Sequence, residues 1–186
     1  MKRWLALILA AASTATAQQD NPEVRLAPQR EAMQALDAFN GAWRGPATIR
    51  TRDGVITITQ TERFGPMLGG SVRVMEGRGT NTDGALSFNA LGIVSYDSAR
   101  KTYTLHSYAQ GYSGDYVLVP QPGGFDWSMT MPDGSAIKYV ARIEGGQWHE
   151  VGTRVAPDGT TVQFFEMRLD RIGDSDWPAA GAIAPK

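Results

Sequence analysis

Apolar and polar residues alternate with a period of two from Trp43 to Arg171, and short turns interrupt the alternation at regular intervals. A period of two is that of a β-strand whose two faces meet different surroundings. Clear examples run from Ile56 to Phe64 and from Phe165 to Arg171. β-Branched and aromatic residues, which favour strands, dominate these runs. The pattern predicts an all-β domain of about ten strands.

The connections between the predicted strands are short and rich in glycine. Pairs such as Asp53-Gly54 and Gly145-Gly146 recur in them, and glycine adopts the positive φ that tight hairpins need. No interval is long enough for a crossover helix, so the strands are predicted to be antiparallel and in up-and-down order. Such a meander either closes into a barrel or folds into a two-sheet sandwich. We favour a closed barrel, because closure leaves no exposed edge strand and about ten strands can enclose a cavity.

The N-terminus has the three parts of a secretory signal peptide. Lys2 and Arg3 form a positive start, an apolar run follows, and residues 15–17 (Ala-Thr-Ala) match the cleavage pattern. The apolar run is shorter than a membrane span requires. We therefore expect cleavage before Gln18 and a periplasmic or secreted mature chain that does not insert into a membrane.

A short helix is predicted before the first strand. Pro28 suits the first turn of a helix, and an apolar residue recurs every three positions up to Phe39. A helix this short needs packing partners, so we expect it to close one mouth of the barrel. The predicted organisation is a signal peptide, a flexible leader, a barrel domain with its N-terminal helix, and a disordered tail, at residues 1–17, 18–27, 28–172 and 173–186.

Charge and composition exclude several classes of function. The 186 residues carry 18 basic and 19 acidic side chains, a net charge of −1, which gives no reason to expect a nucleic-acid partner. The chain has no cysteine and two histidines, too few ligands for a zinc site. We therefore expect no metal and no cofactor. No motif assigns a catalytic residue, and the sequence leaves the oligomeric state open.

Two short motifs carry a family resemblance. Residues 41–45 form a G-x-W-x-G motif at the start of the first predicted strand, and residues 166–171 end the last predicted hairpin. The first motif resembles the first-strand signature of lipocalin-like barrels, including the nitrobindin type. The ending is similar to that of a bacterial lipocalin-like, calycin-type family of unknown function. The resemblance spans roughly residues 30–172 and implies a barrel with a ligand cavity.

The resemblance also suggests roles for individual residues. Gly41 and Trp43 are expected at the closed end of the barrel, where Trp43 forms the floor and Arg171 lays its guanidinium over the indole. Nitrobindin-like proteins hold haem through a histidine late in the barrel. This chain has His106 and His149, neither of them in the last strand. We therefore expect no haem binding.

Four residues are candidates for contact with a ligand. The hairpin between Glu62 and Glu76 is expected to bring the two carboxylates together, and in a dry cavity one of their pKa values would rise. The alternative is that they are rim charges, or that one pairs with an inward-facing arginine. Trp127 is a candidate for the pocket lining, although such aromatics are often ordinary core. His149 shares the parity of Val151 and Val155, which is compatible with an inward position.

The expected function is the binding of a small, largely apolar molecule in the barrel cavity. Two alternatives remain open from the sequence. One is a hydrolase or isomerase-type enzyme that uses lumen carboxylates or His149. The other is a structural module of the cell envelope with a filled barrel and no ligand.

Overall fold

The computed structural model describes residues 21–175 and residue 177. The predicted signal peptide, the first residues of the predicted leader, and residues 176 and 178–186 of the predicted tail lie outside the described residues. Of the rest of that tail, Gly173 ends the last strand. Asp174 accepts a hydrogen bond from Arg171 Nη2 at 2.5 Å, and the Trp177 ring lies 3.7 Å from the Arg63 guanidinium carbon.

The chain begins with helix α1 (Pro22–Met33), followed by a 3₁₀ segment, Gln34–Phe39. The Asn21 side chain caps the helix by accepting a hydrogen bond from the Glu23 amide at 3.0 Å, and Pro22 occupies the first helical position. The helix therefore starts six residues before the predicted start at Pro28, which lies inside it. Much of the predicted flexible leader is thus helical.

Ten antiparallel strands form one closed barrel in up-and-down order. The first strand (β1, Gly41–Thr51) pairs with both the second (β2, Gly54–Met67) and the last (β10, Thr161–Gly173), which closes the sheet and leaves no edge strand among the described residues. The predicted all-β class and the barrel are therefore confirmed, and the sandwich alternative is wrong. In chain order the strands are Gly41–Thr51, Gly54–Met67, Val72–Thr80, Leu86–Asp97, Thr102–Ala109, Tyr112–Gln121, Gly124–Thr130, Ala136–Glu144, Gln147–Val155 and Thr161–Gly173.

The 3₁₀ segment closes one end of the barrel. Leu36 and Phe39 are fully buried there, and the Phe39 ring lies 4.8 Å from that of Phe125 and 4.9 Å from that of Trp148. The buried Arg73 donates a hydrogen bond to Asp37 at 2.5 Å and fixes the segment to β3. This plugged end leaves the opposite mouth as the entrance to the lumen.

Trp43 belongs to this floor, as the sequence predicts for it. It is 2% exposed, and its indole N–H donates to the Phe39 carbonyl at 2.8 Å. Arg171 is its partner across β1 and β10, but the guanidinium donates to the Asn40 carbonyl at 3.3 Å. Gly41 has φ +149°, and a Cβ there would lie 2.8 Å from Arg171 Nε. Gly41 therefore provides the space in which the arginine lies.

No helix within residues 21–175 is long and apolar enough to cross a membrane.

Candidate functional site

Two glutamates lie inside the barrel. Glu62 on β2 pairs with Trp43 and Gly77, and its side chain shares the inner face with Ile58 and Phe64. Glu150 on β9 lies opposite Ala141 and Met167, both buried. The two glutamates are 8% and 7% exposed. The alternation of the strands thus directs two carboxyl groups into an otherwise apolar interior.

Glu62 is held by its neighbour on the same face of β2. The Gln60 amide nitrogen donates to Glu62 Oε1 at 2.6 Å. Burial raises the pKa of Glu62 from 4.5 to about 8, because the charged form loses its hydration; the hydrogen bond opposes this rise, and the carboxyls of Glu150 and Glu76 add to it. Glu62 is therefore mostly protonated at neutral pH.

Glu150 faces indole groups. Trp148 Nε1 donates to Glu150 Oε2 at 3.2 Å. Burial raises the pKa of Glu150 to about 7, and hydrogen bonds from Trp148 and Trp127 limit the rise because they stabilise the charged form. Around neutral pH the lumen thus holds two carboxyl groups, each able to gain or lose a proton.

An aromatic cluster continues from these carboxyls toward the open mouth. The Trp127 and Tyr139 rings are stacked, with centroids 4.3 Å apart and planes 6° from parallel. Tyr116 packs against Trp127 at 5.6 Å, and Phe165 packs edge-on to Tyr139 at 6.0 Å. Burial raises the pKa of Tyr139, which keeps its hydroxyl protonated. The cluster gives the lumen a flat, uncharged wall.

Glycines on the inner face make room for these side chains. A Cβ at Gly77 would lie 2.7 Å from Glu62 Oε1, and a Cβ at Gly152 would lie 2.8 Å from Tyr139 Cε1. Both distances are shorter than real contacts, so a side chain at either position would displace a residue of the site. The glycines therefore allow the functional side chains to lie flat against the wall.

Solvent reaches the mouth half of the lumen. Side chains that face inward by strand register would be fully buried if the barrel were filled. Several of them are only half-buried: Ile49, Phe88, Ser107, Tyr116, Trp127, Tyr139 and Phe165. The plugged end is closed by contrast, with Phe39, Phe64 and Phe125 at 0% exposure. The interior is thus closed at the plugged end and partly solvent-accessible toward the opposite mouth.

Of the four candidate ligand residues, Glu62 and Trp127 lie inside the barrel. Glu76 does not: β3 directs it outward, and it accepts a hydrogen bond from Arg63 at 2.7 Å. Glu62 lies opposite Gly77 and Arg63 opposite Glu76, so the two glutamates occupy opposite faces of the hairpin. The expected pair of Glu62 and Glu76 inside the lumen is therefore not found. Glu76 does pair with an arginine, but Arg63 lies on the outer face, whereas the alternative placed the arginine inside.

His149 also faces outward. It lies between Arg142 and Arg168 across the neighbouring strands, and its two ring nitrogens lie 3.2 Å from Glu144 Oε2 and 3.1 Å from Glu166 Oε1. The hydrogen bond from His149 helps to hold the pKa of Glu166 below its ordinary value against the effect of burial. His149 therefore contacts no lumen residue, which removes it from the site.

The sequence reasoning missed Glu150, Gln60 and Tyr139. Glu150 shares its parity with Trp148, the bulkiest residue of β9, and Trp148 is 0% exposed. The bulk of Trp148 indicated which face of β9 is buried, and Glu150 lies on that face. The valines on the other face gave the opposite indication.

A separate groove of about 710 Å³ lies on the outer wall near the open mouth. Its lining includes the outward side chains of Glu76, Arg78, Leu91 and Tyr108. Leu91 and Tyr108 are 39% and 49% exposed there. Neither Glu62 nor Glu150 lines the groove, so it is a second concave region and not an extension of the lumen site.

Comparison with known proteins identifies a shared fold. No family model matches the chain, and no curated protein matches it in sequence. The structure is similar to the crystal structure of Rv2717c from M. tuberculosis, with a TM-score of 0.58 and 14% sequence identity. The match covers 76% of this chain and 97% of that chain. At this identity the similarity concerns the barrel fold alone.

Proposed function

We propose that this protein is a secreted or periplasmic lipocalin-like barrel that binds a small, largely apolar molecule in its lumen. The observation that carries the proposal is the half-open lumen in which the Trp127–Tyr139 stack lies beside the buried carboxyls of Glu62 and Glu150. Concave apolar sites with a few convergent polar groups are typical of small-molecule binding. The signal-peptide pattern supports the compartment, and the G-x-W-x-G motif supports the lipocalin-like assignment.

A fluorescence titration tests the proposal. The probe is N-phenyl-1-naphthylamine, an uncharged aromatic molecule whose emission rises in apolar surroundings. A matched pair of variants shows where it binds. Ser107→Trp places a large ring on the inner wall, where Ser107 lies between Gly92 and Gly114, whereas Ser95→Trp places the same ring on the exposed outer face of β4.

We expect saturable binding to the wild-type mature chain, weakened at least about tenfold by Ser107→Trp and unchanged by Ser95→Trp. Loss in both variants, or in neither, would contradict a lumen site; the second result would direct attention to the outer groove. An absence of probe binding to the wild type would favour the structural module with a filled barrel.

One observation favours a second function, an isomerase-type enzyme that moves a proton. Glu62 and Glu150 have pKa values raised to about 8 and about 7, and the carboxyl of Glu150 adds to the rise in the pKa of Glu62. One group can then donate a proton while the other accepts one near neutral pH. Deuterium exchange into 1-(naphthalen-2-yl)propan-2-one, followed by NMR in D₂O, tests this. Exchange that is faster than in buffer and lost in Glu150→Gln would support it.

A further inference from the structure

We propose that the molecule held in the lumen is an organic cation, with a protonated amine directed at Glu62 and Glu150 and a flat apolar body against the aromatic wall. The inference rests on the proposed function, since it names the ligand class of the same site. Four features of the lumen carry it: unsatisfied acceptors, carboxyls without a cationic partner among their contacts, donors already engaged, and a stacked aromatic surface.

The first feature is an acceptor without a partner. Gln60 is 2% exposed, and its Oε1 has no hydrogen-bond partner within the described chain, while its Nε2 is bonded to Glu62. A Cβ at Gly79 would lie 3.0 Å from this oxygen, which places it along the inner wall. A buried carbonyl without a donor is costly, so a ligand that supplies an N–H group there is favoured.

The second feature is the charge balance of the interior. The groups that act on the two carboxyls are Gln60, the indoles of Trp148 and Trp127, and other carboxyls. The arginines with inward parity among the described strands lie at the two ends, where Arg73 pairs with Asp37, Arg154 with Asp133 and Arg171 with Asp174. A cation that neutralises the buried carboxylates would therefore come from the ligand.

The third feature is the direction of the hydrogen bonds. The Trp148 indole N–H already donates to Glu150 at 3.2 Å, and the Gln60 amide donates to Glu62 at 2.6 Å. What the site offers to a cation is therefore the unpartnered Gln60 carbonyl and two carboxyls that become acceptors once the cation favours their ionised form. An ammonium group has three donors and no acceptor, which matches this set, whereas a carboxylate or phosphate would place negative charge beside Glu62 and Glu150.

The fourth feature is the aromatic surface beside Glu150. Trp127 and Tyr139 stack at 4.3 Å, and Trp127 acts on Glu150 by hydrogen bonding. A ring or chain can pack on such a wall, and an ammonium group near an indole face gains a cation–π interaction. Charge recognition and apolar contact are therefore available within one binding site.

The test compares three probes with one ring system and different head groups. They are 2-(naphthalen-2-yl)ethylamine, 2-(naphthalen-2-yl)ethanol and 2-naphthylacetate, each used to displace N-phenyl-1-naphthylamine at pH 7. We expect the amine to bind at least about tenfold more tightly than the alcohol, because hydrogen bonds to charged groups exceed neutral ones by that much, and the carboxylate to bind most weakly.

Variants locate the preference. In the double variant Glu62→Gln/Glu150→Gln the affinity ratio of the amine to the alcohol should fall to about one, because the ammonium group loses both ionic partners. Calorimetry of the wild type in buffers of different ionisation enthalpy gives a second readout. The amine should release protons on binding, because a cation favours the ionised carboxyls, and the alcohol should release none.

The outcomes separate this inference from the proposed function. If the alcohol or the carboxylate binds as tightly as the amine, or if the amine binds without proton release, the lumen binds small molecules but does not select cations. If neither the fluorescent probe nor any of the three displacers binds, the proposed function fails and the inference fails with it. Should the double variant not fold, the proton release of the wild type decides the question.

Discussion

Gln60 donates a hydrogen bond to Glu62 across 2.6 Å inside the barrel, two residues away on the same face of β2. The bond stabilises the ionised form of Glu62, but burial outweighs it and the pKa of the carboxyl rises to about 8. A group that folding makes harder to ionise lowers the stability of the fold whenever it carries charge. This relationship links the proposed site to quantities that can be measured without a ligand.

Stability should fall as the pH rises from 5.5 to 8.5. The pKa of Glu62 is about 8 in the folded protein against an ordinary value of 4.5, so between these values the folded state binds more protons than the unfolded state. The contribution of Glu62 to the free energy of unfolding is fully present below about pH 4.5 and is lost as the pH approaches about 8. Glu150, with a pKa of about 7, changes the stability in the same direction. We expect a Tm about 5 °C lower at pH 8.5, by thermal denaturation.

The same experiment has a matched control. Glu62→Gln should remove much of the pH dependence and raise the Tm at pH 8.5, because the amide stays neutral. Glu76→Gln, at the exposed outer position on the neighbouring strand, should change the pH profile far less, because Glu76 has the weakest of the effects that raise the pKa of Glu62. A wild-type Tm that does not fall between pH 5.5 and 8.5 would contradict the buried carboxyl pair.

Trp148→Phe should raise the pKa of Glu150 above about 7. The substitution keeps a ring in the floor but removes the N–H group that donates to Glu150 Oε2 at 3.2 Å and stabilises its charged form. Carboxyl-¹³C NMR of labelled glutamate, titrated from pH 5 to 9, measures this value. A pKa that stays the same or falls would show that the indole hydrogen bond does not act on Glu150.

Trp43→Ala should destabilise the protein by about 3–5 kcal/mol, since it opens a large cavity at the plugged end. Trp43→Phe keeps most of the packing and removes the hydrogen bond to the Phe39 carbonyl, so it should cost about 1–2 kcal/mol. Urea denaturation with a constant m-value measures both. Equal losses in the two variants would show that the hydrogen bond, rather than the ring, holds the floor.

Asp37→Ala should cost about 2 kcal/mol, because it leaves the guanidinium of Arg73 buried without its carboxylate; Asp37 itself is half-exposed, which limits the loss. The exposed pair of Arg63 and Glu76 provides the control, and Glu76→Ala should cost less than about 0.5 kcal/mol. Similar losses in both variants, again by urea denaturation, would argue against a role for Arg73 in fixing the plug.

The fold followed from the sequence because its signals were local and repeated. Turn glycines such as Gly145 and Gly146, with φ +58° and +83°, mark the hairpins directly. Short connections left room for hairpins alone, and closure removes edge strands. The start of α1 was harder to place, because a proline favours the first turn of a helix, yet Pro28 lies at the seventh position of α1, and the cap at Asn21 marks the start.

The inner face of individual strands was the part that alternation alone did not determine. Val74 and Val151 lie on outward parities, whereas Gly77 and Glu150 lie on inward ones. β-Branched residues suit any strand surface, and glycines and acids occupy the inside wherever a lumen needs space and polar groups. The assumption that apolar residues face inward therefore predicted the right hairpin, in which Glu62 and Glu76 lie at neighbouring levels. It placed Glu76 on the wrong face of the sheet.

The most direct test of the central claim, that the lumen is a small-molecule site, is methyl NMR of [methyl-¹³C]methionine protein titrated with N-phenyl-1-naphthylamine. Met75 and Met167 face inward, and Met67 is 38% exposed next to the plugged end. We predict saturable shifts of the Met75 and Met167 methyl signals with one shared affinity, and an unchanged Met67 signal. Saturating shifts confined to Met67, or no saturable shift at any of the three, would contradict it.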